Sequence, residues 1–413
     1  MIGLACVASF IAYILRINMS VAGEALADDL SLSRVQLGVV LGAFAWGYAL
    51  FQFPGGLLCD RLGARRALTL IVVAWGACNL LPGLLPGTAV LPPLALVGVL
   101  ALLRFLMGAA QAPIYPIIGG ATIRLWFPVS AWGFPNAVTN AGAAVGSAAA
   151  GPLIGWLVVT LGWRASFLVT APVAFAFAGI WWWYYRDHPA EHRRVSAAEA
   201  AYIAGDRPAA DAEPPQPGAW RALLRSRNLR LVTLSYFCSI YLFYFFFNWL
   251  VIYLVEERRF TLLEGGWYAA APWMVGALGA LAGGFITDRL SRRRGMTFGC
   301  RWPALVSLLC AGALIFAVAR AEAPLVAVAL LSACLGFQQA TDPVYWAATT
   351  AVAGREAAAA CGVLNTAGNV VGGIGALLVP LTVDAFGWPV ALGTTAGFAV
   401  AGGLLWLAVD LEG

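Results

Sequence analysis

Gly56-Leu57-Leu58-Cys59-Asp60-Arg61-Leu62-Gly63-Ala64-Arg65-Arg66 is a short charged run between two long apolar stretches, residues 35–58 and 67–86. A degenerate copy, Gly284 through Arg294, lies between the apolar stretches 265–288 and 297–319. Asp60-Arg61 recurs there as Asp288-Arg289, at an offset of 228. Other pairs fall at nearly the same offset. Gly108 and Gln111 match Gly336 and Gln339 at 228, while Asn140 matches Asn365, and Gly162-Trp163 matches Gly387-Trp388, at 225. A repeat carried through the whole chain predicts two copies of one helical unit. The expected organisation is a six-helix bundle over 1–185, a linker loop over 186–228 and a second six-helix bundle over 229–413. In the charged run itself, Gly56 permits close helix approach and Asp60 can cap a neighbouring helix terminus. Arg61, Arg65 and Arg66 can pair across the two halves when the cytosolic side is shut, and Gly63 is counted among the same expected gating residues. Asp288 and Arg289 are expected to repeat that gating role.

Composition fixes the solvent. Of 413 residues, 61% are hydrophobic and 11% charged, with a mean hydropathy of +0.81; a soluble domain carries about 25% charged residues. The fold class is therefore an all-α membrane protein, because helices satisfy their own backbone in lipid. Twelve spans can be drawn, at roughly 1–24, 35–58, 67–86, 93–120, 131–158, 164–185, 229–255, 265–288, 297–319, 324–350, 357–383 and 388–409. The net charge of +5 comes from 25 Arg and no Lys. Alternating the loops between the two sides puts 17 loop Arg on one side. Five fall on the other, namely Arg34, Arg164, Arg258, Arg259 and Arg320. By the positive-inside rule both termini and the central loop are expected in the cytoplasm of a bacterium, with the chain in its inner membrane. Met1 opens directly into the first span without a basic flank, so the start is expected to lie a few residues upstream.

Two guanidiniums break the apolar pattern. Arg16 and Arg104 lie well inside spans with no acidic residue near either in sequence. A charge at bilayer depth costs from about 2.5 to well over 10 kcal/mol, so it marks a functional site by default. Arg cannot deprotonate to escape. Their expected partner is an anion from outside; the alternative is a structural role, with Arg104 bonding backbone carbonyls between helices.

The run 56–66 matches G-x-L-x-D-R-x-G-x-R-R, the signature of the major facilitator superfamily, at every fixed position. A closer resemblance, to the anion:cation symporter family, runs along the whole chain. It is carried by Tyr13-Ile14-Leu15-Arg16-Ile17-Asn18-Met19-Ser20-Val21-Ala22, Arg104 to Gly108, Gly162-Trp163-Arg164, Arg186-Asp187-His188-Pro189, Trp249 to Leu254 and Asn365 to Gly373. That family includes bacterial carriers of hexonates, hexuronates and glucarate. The resemblance implies a secondary transporter of small organic anions, often sugar acids, moved with protons, and it gives substrate contacts to Arg16 and Arg104. Two departures stand out. Bacterial sugar-acid members carry Asp where this chain has Leu15, and many members carry Glu where it has Gln111. Neither Leu nor Gln titrates, so both carboxylates linked to proton coupling are missing.

Helical spacing assembles a candidate site around a midplane cavity between the duplicated halves. Tyr13 and Arg16 share a face with Ser20, Arg104 shares one with Gln111 and Tyr115, and Tyr48 lies one turn from Gln52. In the second half Tyr241, Tyr244 and Asn248 align. So do Gln338, Asp342 and Tyr345, and likewise Asn365 and Asn369. Hydroxyls, amides and two guanidiniums suit a polyhydroxylated carboxylate, since Arg binds carboxylate through a bidentate fork. The competing role for the neutral members is to bond neighbouring helices, each worth about 0.6 to 2 kcal/mol. Gly142, Gly146 and Gly151-Pro152 loosely resemble an antiporter signature or serve helix packing. Asp342 is the one carboxylate in a span interior. It is a proton carrier, a fixed partner for an Arg, or a cap beside Pro343.

Other chemistry is thin. Eight Cys lack a C-x-x-C pair, and His188 and His192 make only a weak metal case, so no metal and no cofactor are expected. No nucleophile elbow or Walker pattern appears, and no nucleic-acid signal either. The chain is expected to be no enzyme. It should work as a monomer in the bilayer on a small organic anion with a proton as co-substrate; the alternative is an uncoupled facilitator or exporter of organic anions or another amphipathic solute.

Overall fold

The apolar stretches become helices throughout. The computed structural model describes the chain apart from residues 89, 128–132, 206–224, 354–356 and 412–413. The side chains at 53, 55–61, 119–121, 124, 133–134, 136–137, 204–205 and 357–359 also lie outside the described residues. Gly56, Asp60 and Arg61, expected to take part in gating, fall there. Among the described residues there is no strand, and 12 helices are long and apolar enough to cross a membrane.

The first half builds α1 (Ile2–Val21), α2 (Gly23–Asp29), α3 (Arg34–Gly83), α4 (Pro93–Gln111), α5 (Arg124–Trp126), α6 (Gly133–Leu161) and α7 (Trp163–Tyr184). A short α8 (Ala197–Gly205) follows in the central loop. The second half builds α9 (Arg227–Asn248), α10 (Leu250–Glu256), α11 (Leu262–Arg294), α12 (Met296–Val318), α13 (Pro324–Ala340), α14 (Asp342–Ala353), α15 (Ala357–Phe386) and α16 (Trp388–Leu405). Contacts divide the chain into two units, Met1–Leu32 with Ala43–Pro214, and Ser33–Gly42 with Pro215–Gly413. Ser33–Gly42 joins the second unit through Arg34, which donates to Glu256 at 3.0 Å and to Asp384.

The repeat is visible in the backbone. Gly63, Gly162, Gly295 and Gly387 all take φ between 77° and 86°; Gly63 breaks α3 into two helical segments, and the other three each precede the start of a helix. An L side chain is strained at such φ, so these four glycines set the turns that reverse the chain. Breaks recur as well. The first span breaks at Ala22 and its counterpart at Trp249; the fourth leaves the α-helix after Gln111 and its counterpart after Ala340. The spans 1–24, 93–120, 229–255 and 324–350, drawn as continuous, are thus each interrupted. Proline explains two of the four. Pro113 and Pro116 lack the N–H that a helix needs, and the chain widens into a π-helix over Pro116–Ile123; Pro343 follows the break at Thr341.

One span runs longer than its hydropathy suggests. The stretch drawn to 288 continues helically to Arg294, with Arg292, Arg293 and Arg294 in its last turn. Cations there are stabilised by the helix dipole, and Gly295 ends the helix. Its start is fixed by a capping box, Thr261 with Glu264.

Candidate anion site in the first unit

α1, α3 and α4 bring the two arginines to one aromatic ring. Arg16 is 8% exposed and Arg104 2%. The Phe44 centroid lies 4.8 Å from the Arg16 guanidinium carbon and 4.9 Å from that of Arg104. Tyr13 and Tyr48 also face Arg16, at 4.7 and 5.0 Å. Desolvated cation–π contacts are worth about 2 kcal/mol, so the three rings hold Arg16 without cancelling its charge. Gly108 makes the geometry possible: a Cβ there would collide with the Phe44 carbonyl oxygen, so α3 and α4 touch backbone to backbone.

Hydrogen bonds complete the cluster. Arg16 Nε donates to Gln111 Oε1 at 3.0 Å, and Gln111 Nε2 donates to the Ala12 carbonyl at 3.3 Å. Gln111 thus makes a directed bond to the guanidinium but supplies no neutralising charge. Arg104 donates to the Arg16 carbonyl at 3.2 Å and to Met107 Sδ at 3.7 Å. Tyr115 lies in electrostatic contact with Tyr13 and Arg16. Sequence reasoning missed Phe44, because a ring in an apolar span carries no signal of its own. It also missed Asn18 and Asn79, whose amides both bond Thr170 at 3.2 and 3.0 Å and tie α1, α3 and α7 together.

The second unit contains neutral polar groups instead. Tyr244 donates to Asn369 Oδ1 at 2.9 Å, and Asn369 Nδ2 donates to the Asn365 carbonyl at 2.8 Å. These three predicted residues come together. Asn248 ends α9 at the break, 2% exposed, with no described partner for its Oδ1. Tyr241 and Tyr345 are drawn elsewhere. Tyr241 stacks on Phe398 with centroids 4.2 Å apart. Tyr345 is fully buried, bonded to Ser235 at 2.7 Å and packed on Trp406. The stripe of Gln338, Asp342 and Tyr345 is divided by the break at Thr341. Gln338 donates to Ser239 on α9 at 3.2 Å, while Asp342 accepts from Trp346 Nε1 at 3.2 Å. A cavity of about 240 Å³ between α9 and α15 has apolar walls with Arg230 and Thr233 among them, and none of the predicted residues lines it.

The charged run is held locally. Asp187 of the central loop accepts from the Arg65 backbone N–H at 2.9 Å and lies against Gly63. The Arg65 guanidinium donates to the Trp182 carbonyl at 3.0 and 2.7 Å and stacks on that ring. Arg65 thus caps α7, because the last carbonyls of a helix lack intrahelical donors. Arg66, Asp288 and Arg289 are exposed. Gly142 and Gly146 pack against the Cys6 and Phe10 carbonyls of α1. His192 meets Trp126 and Tyr184 edge-on at 5.4 and 4.9 Å. Burial, with Arg186 and Arg194 nearby, holds its imidazole below the ordinary value.

Twelve apolar helices in two repeated units, one with a buried pair of arginines, define a membrane carrier of the facilitator type. The model of the Major Facilitator Superfamily matches residues 5–300, and the chain belongs to that family, whose members here are transporters and not enzymes. It is 33% identical over 376 residues to a probable sulfoacetate transporter, SauU, of Cupriavidus necator, covering 90% of this chain and 84% of that protein. It is 32% identical to a probable galactarate/D-glucarate transporter, GudP, of Bacillus subtilis, covering 90% and 82%. A hexuronate transporter of Bacillus subtilis is 30% identical, covering 96% and 89%. These relatives bear out the resemblance to the anion:cation symporters. Among solved structures, a bacterial homolog to the human lysosomal transporter Spinster, inward-facing and unoccupied, superposes with a TM-score of 0.80 at 17% identity, over 99% of this chain and 96% of that one. That likeness concerns the fold.

Proposed function

We propose that this protein carries a small organic acid, a sugar acid or a short sulfonate, across a bacterial inner membrane by alternating access of its two halves. Arg16 and Arg104 bind the anionic group, and a proton moves in symport. The observation that supports this most is the convergence of two buried guanidiniums on Phe44, with Gln111 fixing one of them. The relatives add the chemical class, since each is named for an organic acid. Tyr13 and Tyr48 supply aromatic contacts beside Arg16, while Tyr244, Asn248, Asn365 and Asn369 are the candidates for sugar hydroxyls. Tyr241 and Tyr345 serve packing. The distribution of loop Arg supports cytoplasmic termini and a cytoplasmic linker over 186–228.

Coupling follows from energetics. Moving one negative charge inward against 100 mV costs about 2.3 kcal/mol, close to a fifty-fold handicap. Accumulation of a monoanion therefore needs a cotransported cation. A second reading, an uncoupled facilitator or exporter, draws support from Leu15 and Gln111, which cannot titrate. Reconstituted protein separates the two. Proteoliposomes given labelled D-glucarate, a hexuronate and sulfoacetate, with pH gradient and potential imposed independently, should accumulate an acid under an acid-outside gradient. Equilibration without accumulation would favour the facilitator.

A further inference from the structure

We propose that Asp342 is the proton-binding group of this carrier, replacing the carboxylates missing at Leu15 and Gln111; the inference rests on the organic-acid reading above. Asp342 opens α14 immediately after the break at Thr341, inside the span Pro324–Ala353. It is neither sealed nor free, being partly exposed at that depth. Of the roles open to it, a fixed ion pair with Arg has no support, since its one described hydrogen bond comes from the neutral indole N–H of Trp346. A carboxylate held by Arg stays ionised through the cycle. A neutral donor serves either protonation state, because one oxygen still accepts while the other takes the proton.

The surroundings suit a group that changes charge. Of the ionisable groups on elements packed against α14, Tyr236 on α9 lies edge-on to Trp346 at 6.3 Å. Cys300 on α12 is buried, and Arg301 on the same helix donates to the Val409 carbonyl. Cys334 on α13 donates to the Ala311 carbonyl, Asp288 and Arg289 on α11 are exposed, and Cys361 on α15 is half-buried. No described interaction joins any of them to Asp342. One turn before it, Gln338 is 1% exposed, and its Oε1 has no described partner. Together with Ser239 and Thr341, at 3.2 and 3.4 Å along the chain of contacts, it forms a short polar ladder whose last member, Thr341, directly precedes Asp342 in the chain. A buried acceptor without a described partner, on the turn before the break that Asp342 follows, is where water is expected to enter.

The test uses the full chain in proteoliposomes, with labelled D-glucarate and sulfoacetate as probes and the potential clamped. With the potential held at zero, a one-unit acid-outside gradient supports about tenfold accumulation per proton, whatever the net charge of the cycle. Wild-type protein should show it. Asp342→Asn should lose that accumulation while keeping counterflow within about twofold of wild type, since exchange needs no net proton movement. Asp342→Glu should keep gradient-driven uptake with a displaced pH optimum. Monodispersity and an unchanged melting profile certify that Asp342→Asn is folded. Asp342→Asn that still accumulates, or that loses counterflow equally while folded, overturns the proposal. Wild-type protein that exchanges an acid but ignores the pH gradient overturns the proton site alone. Exchange of neither probe overturns the organic-acid reading and the proton site with it.

Discussion

The two units share a scaffold and differ in what it presents. In the first, Gly142 and Gly146 let α6 touch the backbone of α1; in the second, their counterparts at an offset of 226, Gly368 and Gly372, lie against the rings of Tyr236 and Tyr244. The same small positions thus seat backbone in one unit and tyrosine in the other. The first unit holds two guanidiniums and three rings around Arg16, whereas the second holds a hydroxyl–amide chain from Tyr244 through Asn369 to Asn365. The paired guanidiniums sit in the first unit, while the second presents neutral polar groups together with the carboxylate of Asp342. In a carrier of acids, the first unit would supply binding energy and the second would discriminate among acids by their other groups.

Substitutions can break or sharpen that division. The largest effect is expected at Arg104→Ala, which removes a charge 2% exposed and its bond to the Arg16 carbonyl. Losing one member of a buried charged contact costs roughly 2–5 kcal/mol, so counterflow should fall about 30-fold or more for every acid tested. Phe44→Leu should come next. Loss of cation–π contact to both arginines, worth about 1–2 kcal/mol, should raise KM about fivefold to thirtyfold while kcat changes less. In the second unit, Tyr244→Phe removes one neutral hydrogen bond of about 1 kcal/mol. It should weaken uptake about fivefold for a polyhydroxylated acid and leave sulfoacetate uptake nearly unchanged. Equal losses for both acids would erase the proposed division of labour. Tyr345→Phe is the internal control, lowering thermal stability through the lost Ser235 bond without changing transport.

The smallest effect concerns the central loop. His192 titrates below its ordinary value when folded, so protonation favours the unfolded form. Its contribution should be fully present above about pH 6.5 and should shrink as pH falls from there toward the folded value. Protease sensitivity of the loop, compared between wild type and His192→Gln from pH 8 to pH 5.5, reads this directly. The wild type should become more sensitive on acidification and the variant should not.

Much of the fold was legible because hydropathy and the repeat are properties of the chain itself. The twelve spans were drawn to within several residues, and the offset of 225 relates the glycine turns at Gly162 and Gly387. The breaks were harder to read. Pro113, Pro116 and Pro343 were in plain sight, yet proline within a span does not by itself say whether a helix bends, widens or stops. The site was legible in its charges and opaque in its partners. Arg16, Arg104 and Gln111 announced themselves as polar groups in apolar surroundings, and all three meet. Phe44 did not, because its role depends on which helix crosses which, and that is set by Gly108 and the carbonyl it abuts. Tyr345 misled for the converse reason: a hydroxyl at the expected spacing was satisfied by Ser235 across a helix contact that no local pattern encodes.

The central claim is that the paired guanidiniums hold the anion. Equilibrium binding of D-glucarate and of its uncharged analogue glucitol, to purified wild type and Arg16→Gln and Arg104→Gln variants, tests it most directly. The account predicts saturable binding of the acid by wild type, none of glucitol, and loss of acid binding in both folded variants. Undiminished acid binding by either variant would contradict it.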